Sequence, residues 1–307
     1  MVSSGGEEYV QGGTASATIV SNGTALIGLA GTADSTTVAN GGAQIVESGS
    51  IADHTTISVG GVETVDGKAV GAMVEGGRQI VDGTASGTAV TLNGTQNVFG
   101  TADGTLVDSG GIEFVESGGT ANFTTAVSGG IEVVSASGIA TSTTVASGGA
   151  EYVSGGGFAD GTIAGSGGDE VVQAGGRFDG ATIGGGTVEL RSGAVASGTV
   201  DFAGAGTLDL GGTGAYSLLV AGFGMPDAFD LSAVNFASAT ESYAGTTTSG
   251  TLTVADGTHS VSLLLLGNYT AASFSLAAES GGGTGTMVTD PPLMAASAPN
   301  PIPIAPH

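Results

Sequence analysis

Four glutamates that recur at one spacing are the residues of this chain whose pattern most suggests chemistry. Glu113, Glu132, Glu151 and Glu170 follow one another at intervals of 19 residues. Hydrolysis of a glycosidic bond needs two carboxyl groups that face each other across the sugar. Acids that occur once per repeated unit form a line along one face, where like charges repel and are screened by salt or by divalent cations. The spacing therefore predicts a solvated stripe of carboxylates, and no catalytic residues are assigned.

A second candidate site consists of Asp227 and Asp230. They lie in the segment GFGMPDAFD at 222–230, which is a degenerate form of a glycine- and aspartate-rich calcium-binding loop. Carboxylate oxygens are the ligands that calcium prefers. These two residues are thus predicted to bind a structural calcium ion, and no other cofactor is predicted. His54 and His259 have no nucleophile in a recognisable motif nearby, so both are expected to be exposed loop residues.

The composition excludes several classes of protein. The chain has 307 residues, of which 60 are glycine and none is cysteine, and its 28 acidic and 4 basic residues give a net charge of −24. A protein that binds nucleic acid needs a basic face to displace counterions from phosphates, so no nucleic-acid partner is expected. No apolar run approaches the ~20 residues that span a bilayer. The N-terminus has no basic and apolar signal segment, so we expect either a piece of a longer protein or export without such a signal.

The sequence repeats with a period of 19 residues. Residues 112–130, 131–149 and 150–168 are three tandem units in one frame, and about eleven units fall between 4 and 206. A unit of this size cannot bury its own apolar face, whereas stacked units share a continuous core. At about 4.8 Å per turn, eleven turns would form a rod about 50 Å long. The predicted fold is all-β, a parallel β-solenoid (β-helix) of about eleven coils that covers residues 1–212.

Each unit contains two short segments with strand propensity, separated by glycine pairs. The first contains the repeated glutamate, as in Ile112-Glu113-Phe114, and the second is rich in threonine, as in Thr143-Thr144. Side chains alternate across a strand. The alternation predicts that Ile112 and Phe114 point into the core and that Glu113 points to solvent.

These units resemble a known family. The pattern E-[YVF]-V-x-x-G-G-x-A-x-x-T-x-V-x-S-G-G is similar to the passenger repeats of bacterial autotransporters of the AIDA adhesin type. The resemblance covers about two thirds of the chain and implies a β-solenoid at the cell surface that mediates adhesion, aggregation or biofilm formation. Some members carry heptose on repeat serines. By this resemblance, the candidate O-glycosylation sites are the serines that precede glycine pairs: Ser4, Ser109, Ser117, Ser128, Ser147, Ser154 and Ser166.

The repeat frame ends after Gly212. Residues 213–290 contain longer apolar segments, and Asp256-Gly257 between two of them is a typical hairpin turn. An antiparallel β module that covers the open end of the solenoid is therefore predicted. It is similar to terminal modules of large secreted alphaproteobacterial repeat proteins. Residues 291–307 hold six of the seven prolines and are expected to form a disordered tail.

Together these features predict a non-enzymatic repeat protein, secreted or on the surface of a Gram-negative bacterium, that acts as an adhesin or as a biofilm or aggregation scaffold. Its expected partners are a host or neighbouring cell surface, a polysaccharide or a second copy of itself, with a glycosyltransferase as a modifying enzyme. Two alternatives remain open. One is a carbohydrate-active β-helix enzyme, which would need a non-repeating cluster of acids and cations. The other is a passive passenger module of a larger exoprotein.

Overall fold

The chain forms a parallel β-solenoid of about 12 turns, which confirms the predicted fold class. The computed structural model describes residues 1–3, 5–279 and 282–290. The predicted tail, 291–307, lies outside these residues. The helical segments of the described chain are two single-turn 3-10 helices, Phe236–Ser238 and Ala271–Ser273. No described helix has the length and apolarity needed to cross a bilayer.

Each turn has three sides, whereas the sequence pattern predicts two strand segments. Side 1 carries the segment with the repeated glutamate and is the more regular, because every turn contributes one strand to it. Its thirteen parallel strands are Glu7–Gln11, Thr24–Gly28, Ala43–Val46, Val62–Val65, Arg78–Val81, Thr95–Val98, Ile112–Val115, Ile131–Val134, Ala150–Val153, Asp169–Val172, Thr187–Leu190, Thr207–Leu210 and Ala228–Leu231.

Sides 2 and 3 belong to one bent sheet and divide the threonine-rich part of each repeat between them. Side 2 consists of Thr14–Ser16, Thr32–Asp34, Ile51–Asp53, Lys68–Val70, Thr84–Ser86, Thr101–Asp103, Thr120–Asn122 and Ile139–Thr141. Side 3 consists of Val2–Ser3, Ile19–Ser21, Thr37–Ala39, Thr56–Ser58, Met73–Glu75, Ala89–Thr91, Leu106–Val107, Thr125–Ala126 and Thr144–Val145. Three later strands run through both sides: Phe158–Gly165, Arg177–Gly184 and Val195–Gly204.

A left-handed residue forms the corner between sides 2 and 3. In two successive turns it is Ser142, with φ of 57°, and Gly161, with φ of 70°. The residue that follows, Thr143 or Thr162, is buried. The positive φ lets the chain turn within one residue and directs the threonine into the core. The corner leaves no constant residue in the sequence, because alanine, serine, histidine or phenylalanine replaces glycine there in five of the turns: Ala17, Ser35, His54, Phe123 and Ser142.

The strands of side 1 stack in register. Glu113 pairs with Glu132, Glu132 pairs with Glu151, and Glu151 pairs with Glu170. Neighbouring strands of a sheet lie about 4.8 Å apart. The structure therefore aligns the four glutamates in one column, as the 19-residue spacing predicts.

The predicted direction of these side chains is wrong. Ile112 and Phe114 point outward and are half-buried, whereas Glu113 is buried inside the solenoid. Side chains alternate between the two faces of a strand, so Glu113 lies on the same face as Val115. Val115 belongs to a column of fully buried valines that stack directly on one another, Val115, Val134, Val153 and Val172. The column of Ile112, in contrast, contains Asp169 on a later turn.

An antiparallel arrangement closes the C-terminal end. Parallel stacking on side 1 continues past Gly212 to Ala228–Leu231, which then pairs antiparallel with Thr286–Thr289. On the other sheet, Gly214–Ala221 stacks in parallel on Val195–Gly204 and on Ser260–Leu266. The remaining strands of this end are Thr240–Gly245, Ser249–Ala255 and Ser275–Ala278.

The predicted hairpin turn at Asp256-Gly257 is confirmed. Ser249–Ala255 and Ser260–Leu266 pair antiparallel on either side of it. The Asp256 carboxylate accepts the backbone N–H groups of Asn235, Thr258 and His259. These three bonds hold the pKa of Asp256 well below its ordinary value. Underneath, Phe223 stacks on Phe229 with ring centroids 4.0 Å apart, so aromatic packing replaces the valine columns at this end.

Candidate functional site

A column of polar side chains runs through the core on side 1. From the third turn of side 1 it contains Gln44, Glu63, Gln79, Gln96, Glu113, Glu132, Glu151 and Glu170. All eight have no exposed surface. The expectation of a solvated carboxylate stripe is thus wrong, because the glutamates face the core and not the solvent. Buried charges are costly unless they are paired or neutralised, so the contacts of this column determine what it can do.

The N-terminal half of the column contains three amides and one acid, Glu63. Gln44 donates from Nε2 to Glu63 Oε1 at 2.8 Å, and Gln79 donates from Nε2 to Glu63 Oε2 at 2.8 Å. Gln96 in turn donates to Gln79 Oε1 at 2.7 Å. Both oxygens of Glu63 therefore have an amide donor from a neighbouring turn, although burial still raises the pKa of Glu63.

The C-terminal half stacks four acids with no amide between them. Thr124, Thr143 and Thr162 each donate a hydroxyl hydrogen to Oε2 of one glutamate, at 2.8, 2.7 and 2.8 Å. Within the described residues, Oε1 of Glu113, Glu132 and Glu151 and both oxygens of Glu170 have no hydrogen-bond partner. Each acid thus has at most one donor, which does not compensate a buried carboxylate.

Burial raises the pKa of all four acids. It raises the pKa of Glu113 to about 7 and that of Glu170 to about 8. For Glu132, burial together with the charges of Glu151 and Glu113 raises the pKa well above the ordinary value, and the pKa of Glu151 is raised for the same kind of reason. A neutral carboxyl is much cheaper to bury than a carboxylate. The column therefore acts as a set of core carboxylic acids whose ionisation opposes folding.

The threonine donors provide a first test of this column. We expect Thr143→Val to lower the free energy of unfolding by about 1–3 kcal/mol, because it removes the hydroxyl that bonds Glu132 and leaves that buried group without a partner. Thr144→Val is the matched control, since Thr144 points outward on side 3 in the same turn. Denaturant unfolding followed by circular dichroism measures both. Equal effects of the two substitutions would contradict the assignment.

The candidate glycosylation serines fall into two groups. Ser109, Ser128, Ser147 and Ser166 occupy the corner between side 3 and side 1, and all four are exposed. The backbone N–H of Ser128 bonds the carbonyl of Ser147 at 3.1 Å, and that of Ser147 bonds the carbonyl of Ser166 at 2.8 Å. These backbone bonds stack Ser128, Ser147 and Ser166, and Ser109 lies at the equivalent position, three residues before its side 1 strand. We call this set the serine corner.

The other predicted serines lie elsewhere. Ser117 and Ser154 are at the corner between sides 1 and 2, where Ser117 is exposed and Ser154 is half-buried. Val115 and Val153 are equivalent positions of side 1. Ser117 lies two residues after Val115 and Ser154 lies one residue after Val153, so the two serines do not occupy equivalent positions of the turn. Ser4 lies outside the described residues. The structure thus brings four of the seven candidate serines into one exposed column.

The two predicted calcium ligands, Asp227 and Asp230, have different surroundings. Asp227 is buried and accepts the backbone N–H of Gly224 at 2.9 Å, which is the contact of a turn carboxylate. Asp230 points outward on side 1, in register with Asp209. Within the described residues, the group of three or more such side chains whose ligand atoms lie within 4.8 Å of one another is that of Asp34, Asp53 and His54. Calcium binding by Asp227 and Asp230 stays a prediction.

His54 and His259 are both exposed, as predicted. His54 Nδ1 lies 2.8 Å from Asp53 Oδ1, and His259 Nδ1 lies 3.2 Å from Asp256 Oδ2. Both side chains are more than half exposed, at 69% and 54%. Each histidine therefore contacts a carboxylate of its own turn.

The fold and its exposed corners define a repeat scaffold: a long closed core with regularly spaced outer positions and a covered end. No protein-family model and no curated protein matches the chain. Among solved structures it is similar to a fragment of TibA hyper-glycosylated by TibC catalysis. The two chains are 35% identical and superpose with a TM-score of 0.61, over 70% of this chain and 85% of the TibA fragment. This chain belongs to the family of autotransporter adhesin passengers with an AIDA-type β-solenoid.

Proposed function

We propose that this protein is a non-enzymatic adhesin scaffold at the cell surface, or secreted from it, and that the serine corner carries sugars added by a glycosyltransferase. The observation that carries the proposal is the exposed corner that holds Ser109, Ser128, Ser147 and Ser166, each three residues before its side 1 strand. The TibA fragment with the same type of solenoid is hyper-glycosylated. Hydroxyls repeated on successive turns let one enzyme act along a row of equivalent acceptors.

Glycosylation is tested by intact mass. Co-expression with the glycosyltransferase TibC is expected to add several hexose- or heptose-sized increments to the wild-type chain. The triple variant Ser128→Ala, Ser147→Ala and Ser166→Ala is expected to lose most of them. Ser137→Ala is the matched control, because Ser137 is also exposed but lies at the corner between sides 1 and 2. A wild-type mass without any increment, or a triple variant with the full number, would overturn the glycosylation proposal.

Adhesion is tested by attachment of cells that display the chain. Deletion of residues 131–168 removes two whole turns of 19 residues and joins Gly130 to Asp169, which pairs at the same position of side 1 as Ile131. Attachment to other cells or to polysaccharide is expected to fall but not to vanish, because the remaining turns keep the same outer positions. If the full chain attaches no better than undecorated cells, the protein is a passive passenger module and the adhesin proposal fails.

One observation favours a second candidate function, that of a carbohydrate-active enzyme. A groove of about 310 Å³ is lined by Tyr152, Asp169, Glu189, Arg191 and Asp209 among others. Arg191 Nε donates to Glu189 Oε1 at 2.7 Å. Burial, with the charge of Asp230 nearby, raises the pKa of Asp209 to about 7. If the protein depolymerises an added polysaccharide and Asp209→Asn loses this activity, the result supports an enzyme. If none of the polysaccharides tested gives a product, the enzyme hypothesis is excluded.

A further inference from the structure

The buried column of side 1 changes its chemistry twice along the solenoid. From Gln44 to Gln96 it holds three amides and one acid, and from Glu113 to Glu170 it holds four acids. Beyond Glu170 the same position is apolar and is occupied on successive turns by Val188, Leu208 and Phe229. The four acids therefore lie between an amide-rich part and an apolar end. We call residues 112–172, which contain these four strands of side 1, the acid segment.

The acid segment is the part of the column whose polar groups lack partners. In the amide-rich part, both oxygens of Glu63 accept hydrogen bonds from the amides of Gln44 and Gln79. In the acid segment, five buried carboxyl oxygens have no hydrogen-bond partner within the described residues. A buried charge is costly unless it is paired and hydrogen-bonded. Ionisation of the four acids would therefore destabilise the acid segment much more than the parts on either side of it.

The groups that face the four acids offer no compensating charge. The hydroxyls of Thr124, Thr143 and Thr162 are their hydrogen-bond donors. The other inward residues on sides 2 and 3 of these turns are apolar: Ala121, Ala126, Ala140, Val145, Ala159, Ala164, Phe178 and Ile183. Among the residues that the structure describes, no lysine, arginine or histidine is buried. The titratable groups inside the acid segment are thus the four acids, and a charge on one opposes a charge on the next.

The architecture of a solenoid allows one part to open while others stay folded. Each turn packs mainly on the turns above and below it, so stability is set locally along the rod. In the amide-rich part, Gln96 donates to Gln79 Oε1 at 2.7 Å, and this bond does not titrate in the neutral range. At the apolar end, the rings of Phe202, Phe223 and Phe229 pack with centroids between 4.0 and 5.9 Å apart. Both parts keep these contacts when the acids ionise.

We propose that the acid segment is a pH-operated joint in the rod. In mildly acid solution its carboxyl groups are neutral and its turns are packed. In mildly alkaline solution the carboxyl groups ionise and these turns open, while the solenoid on both sides stays folded. Ser128, Ser147 and Ser166 of the serine corner lie on the same turns, so opening would also disperse that row. The joint itself does not depend on the glycosylation proposal.

The test is hydrogen–deuterium exchange of the full chain, followed by mass spectrometry at about pH 5.5 and about pH 8.5 and corrected for the intrinsic effect of pH on exchange. Burial raises the pKa of Glu113 to about 7 and that of Glu170 to about 8, so the two conditions lie below and above these values. Protection of peptides from 112–172 is expected to fall between the two conditions by at least about tenfold more than that of peptides from 24–98 and 187–231.

Glutamine variants test whether the buried acids cause the opening. Glu132→Gln with Glu151→Gln is expected to keep the acid segment protected at the alkaline condition, because it halves the number of buried charges and adds amide donors. Asp160→Asn with Asp169→Asn is the matched control, since these two acids point outward in the same part of the solenoid. This control is expected to leave the loss of protection within about twofold of the wild-type value.

The opposite substitution tests whether the joint can be extended. Gln79→Glu with Gln96→Glu makes the column acidic without interruption from Glu63 to Glu170. At the alkaline condition the loss of protection is expected to spread to residues 78–98. Folding of this variant is first checked by circular dichroism at the acid condition. The glutamine pair removes no packing and decides the question even if the extended variant does not fold.

Three results would overturn the proposal. One is equal loss of protection in all three parts, which would mean that the column acts on the whole rod. Another is an acid segment that stays fully protected at the alkaline condition. The third is an equal effect of the glutamine pair and its outward control, which would assign the opening to surface charge. Each of these results rejects the joint and leaves the proposals of glycosylation and adhesion intact.

Discussion

Raising the pH from about 5 to about 8 is expected to lower the free energy of unfolding steeply. The reason is the stack of Glu113, Glu132, Glu151 and Glu170, whose folded-state pKa values are raised from the ordinary 4.5 to about 7 for Glu113, to about 8 for Glu170 and well above 4.5 for the other two. Between 4.5 and those values the folded chain binds more protons than the unfolded chain. The stabilisation is therefore complete below about pH 4.5 and is lost as the pH rises through the folded pKa values, by up to about 1.4 kcal/mol per pH unit for each acid.

Replacing two of these acids by glutamine isolates the effect of the column. Glu132→Gln with Glu151→Gln is expected to flatten the pH dependence between about pH 5 and 8 and to raise stability at the alkaline end. The amide fits this column, because Gln44, Gln79 and Gln96 already occupy it on other turns. The measurement is denaturant unfolding at a series of pH values.

The control for net charge is Asp66→Asn with Asp82→Asn, which also removes two negative charges but from exposed corner positions. This control is expected to shift the free energy of unfolding slightly at every pH without changing its slope against pH. If both double variants change the slope of stability against pH alike, the pH dependence comes from general surface repulsion and the buried column has no part in it.

Gly149→Ala is expected to cost about 3 kcal/mol or more and to disrupt the stacking of neighbouring turns. A Cβ at Gly149 would overlap the backbone carbonyl of Ala126 on the preceding turn. That carbonyl cannot move without separating the two coils. Loss of the cooperative unfolding transition at ordinary temperature, measured by circular dichroism, would be the strongest form of the result.

The neighbouring Gly148 supplies the matched control. It has φ of +84° and only one atom as near as 4.0 Å to the position of an added Cβ. Gly148→Ala therefore introduces backbone strain of about 1–2 kcal/mol without a clash. A cost for Gly149→Ala no larger than that of Gly148→Ala would show that the coils are not packed as described.

The stacking itself could be predicted from the sequence. The 19-residue period fixed which residues are neighbours, so the alignment of Glu113 with Glu132 and Glu151 followed from counting. The hairpin turn at Asp256-Gly257 was equally predictable, because the turn chemistry is local. Both results depend only on spacing and on local conformational preference.

The direction of the side chains could not be predicted as easily. Hydrophobicity favours Ile112 over Glu113 as the inward residue, and that reasoning is sound for one turn considered alone. A signal in the other turns favours the opposite choice: the Ile112 column contains Asp169, and the Phe114 column contains Asn97 and Glu189. The valine column at the fourth position has no such exceptions from Val46 to Val172.

The third side of the turn was missed for a related reason. Thr143 and Thr144 are adjacent and similar, yet one is buried and bonds a glutamate and the other points outward. Only the left-handed Ser142 between the two strands explains the difference. A non-glycine residue with positive φ leaves little trace in a single sequence. Because the turn has three sides, the candidate serines lie at two different corners.

Glu113, Glu132, Glu151 and Glu170 lie inside the solenoid as carboxylic acids. A carboxyl-carbon NMR titration of the chain labelled at glutamate tests it most directly, with single glutamate-to-glutamine variants to assign the signals. We expect the four assigned signals to titrate above about pH 6. Titration of all glutamate signals near pH 4.5 would place the column in solvent and contradict the account.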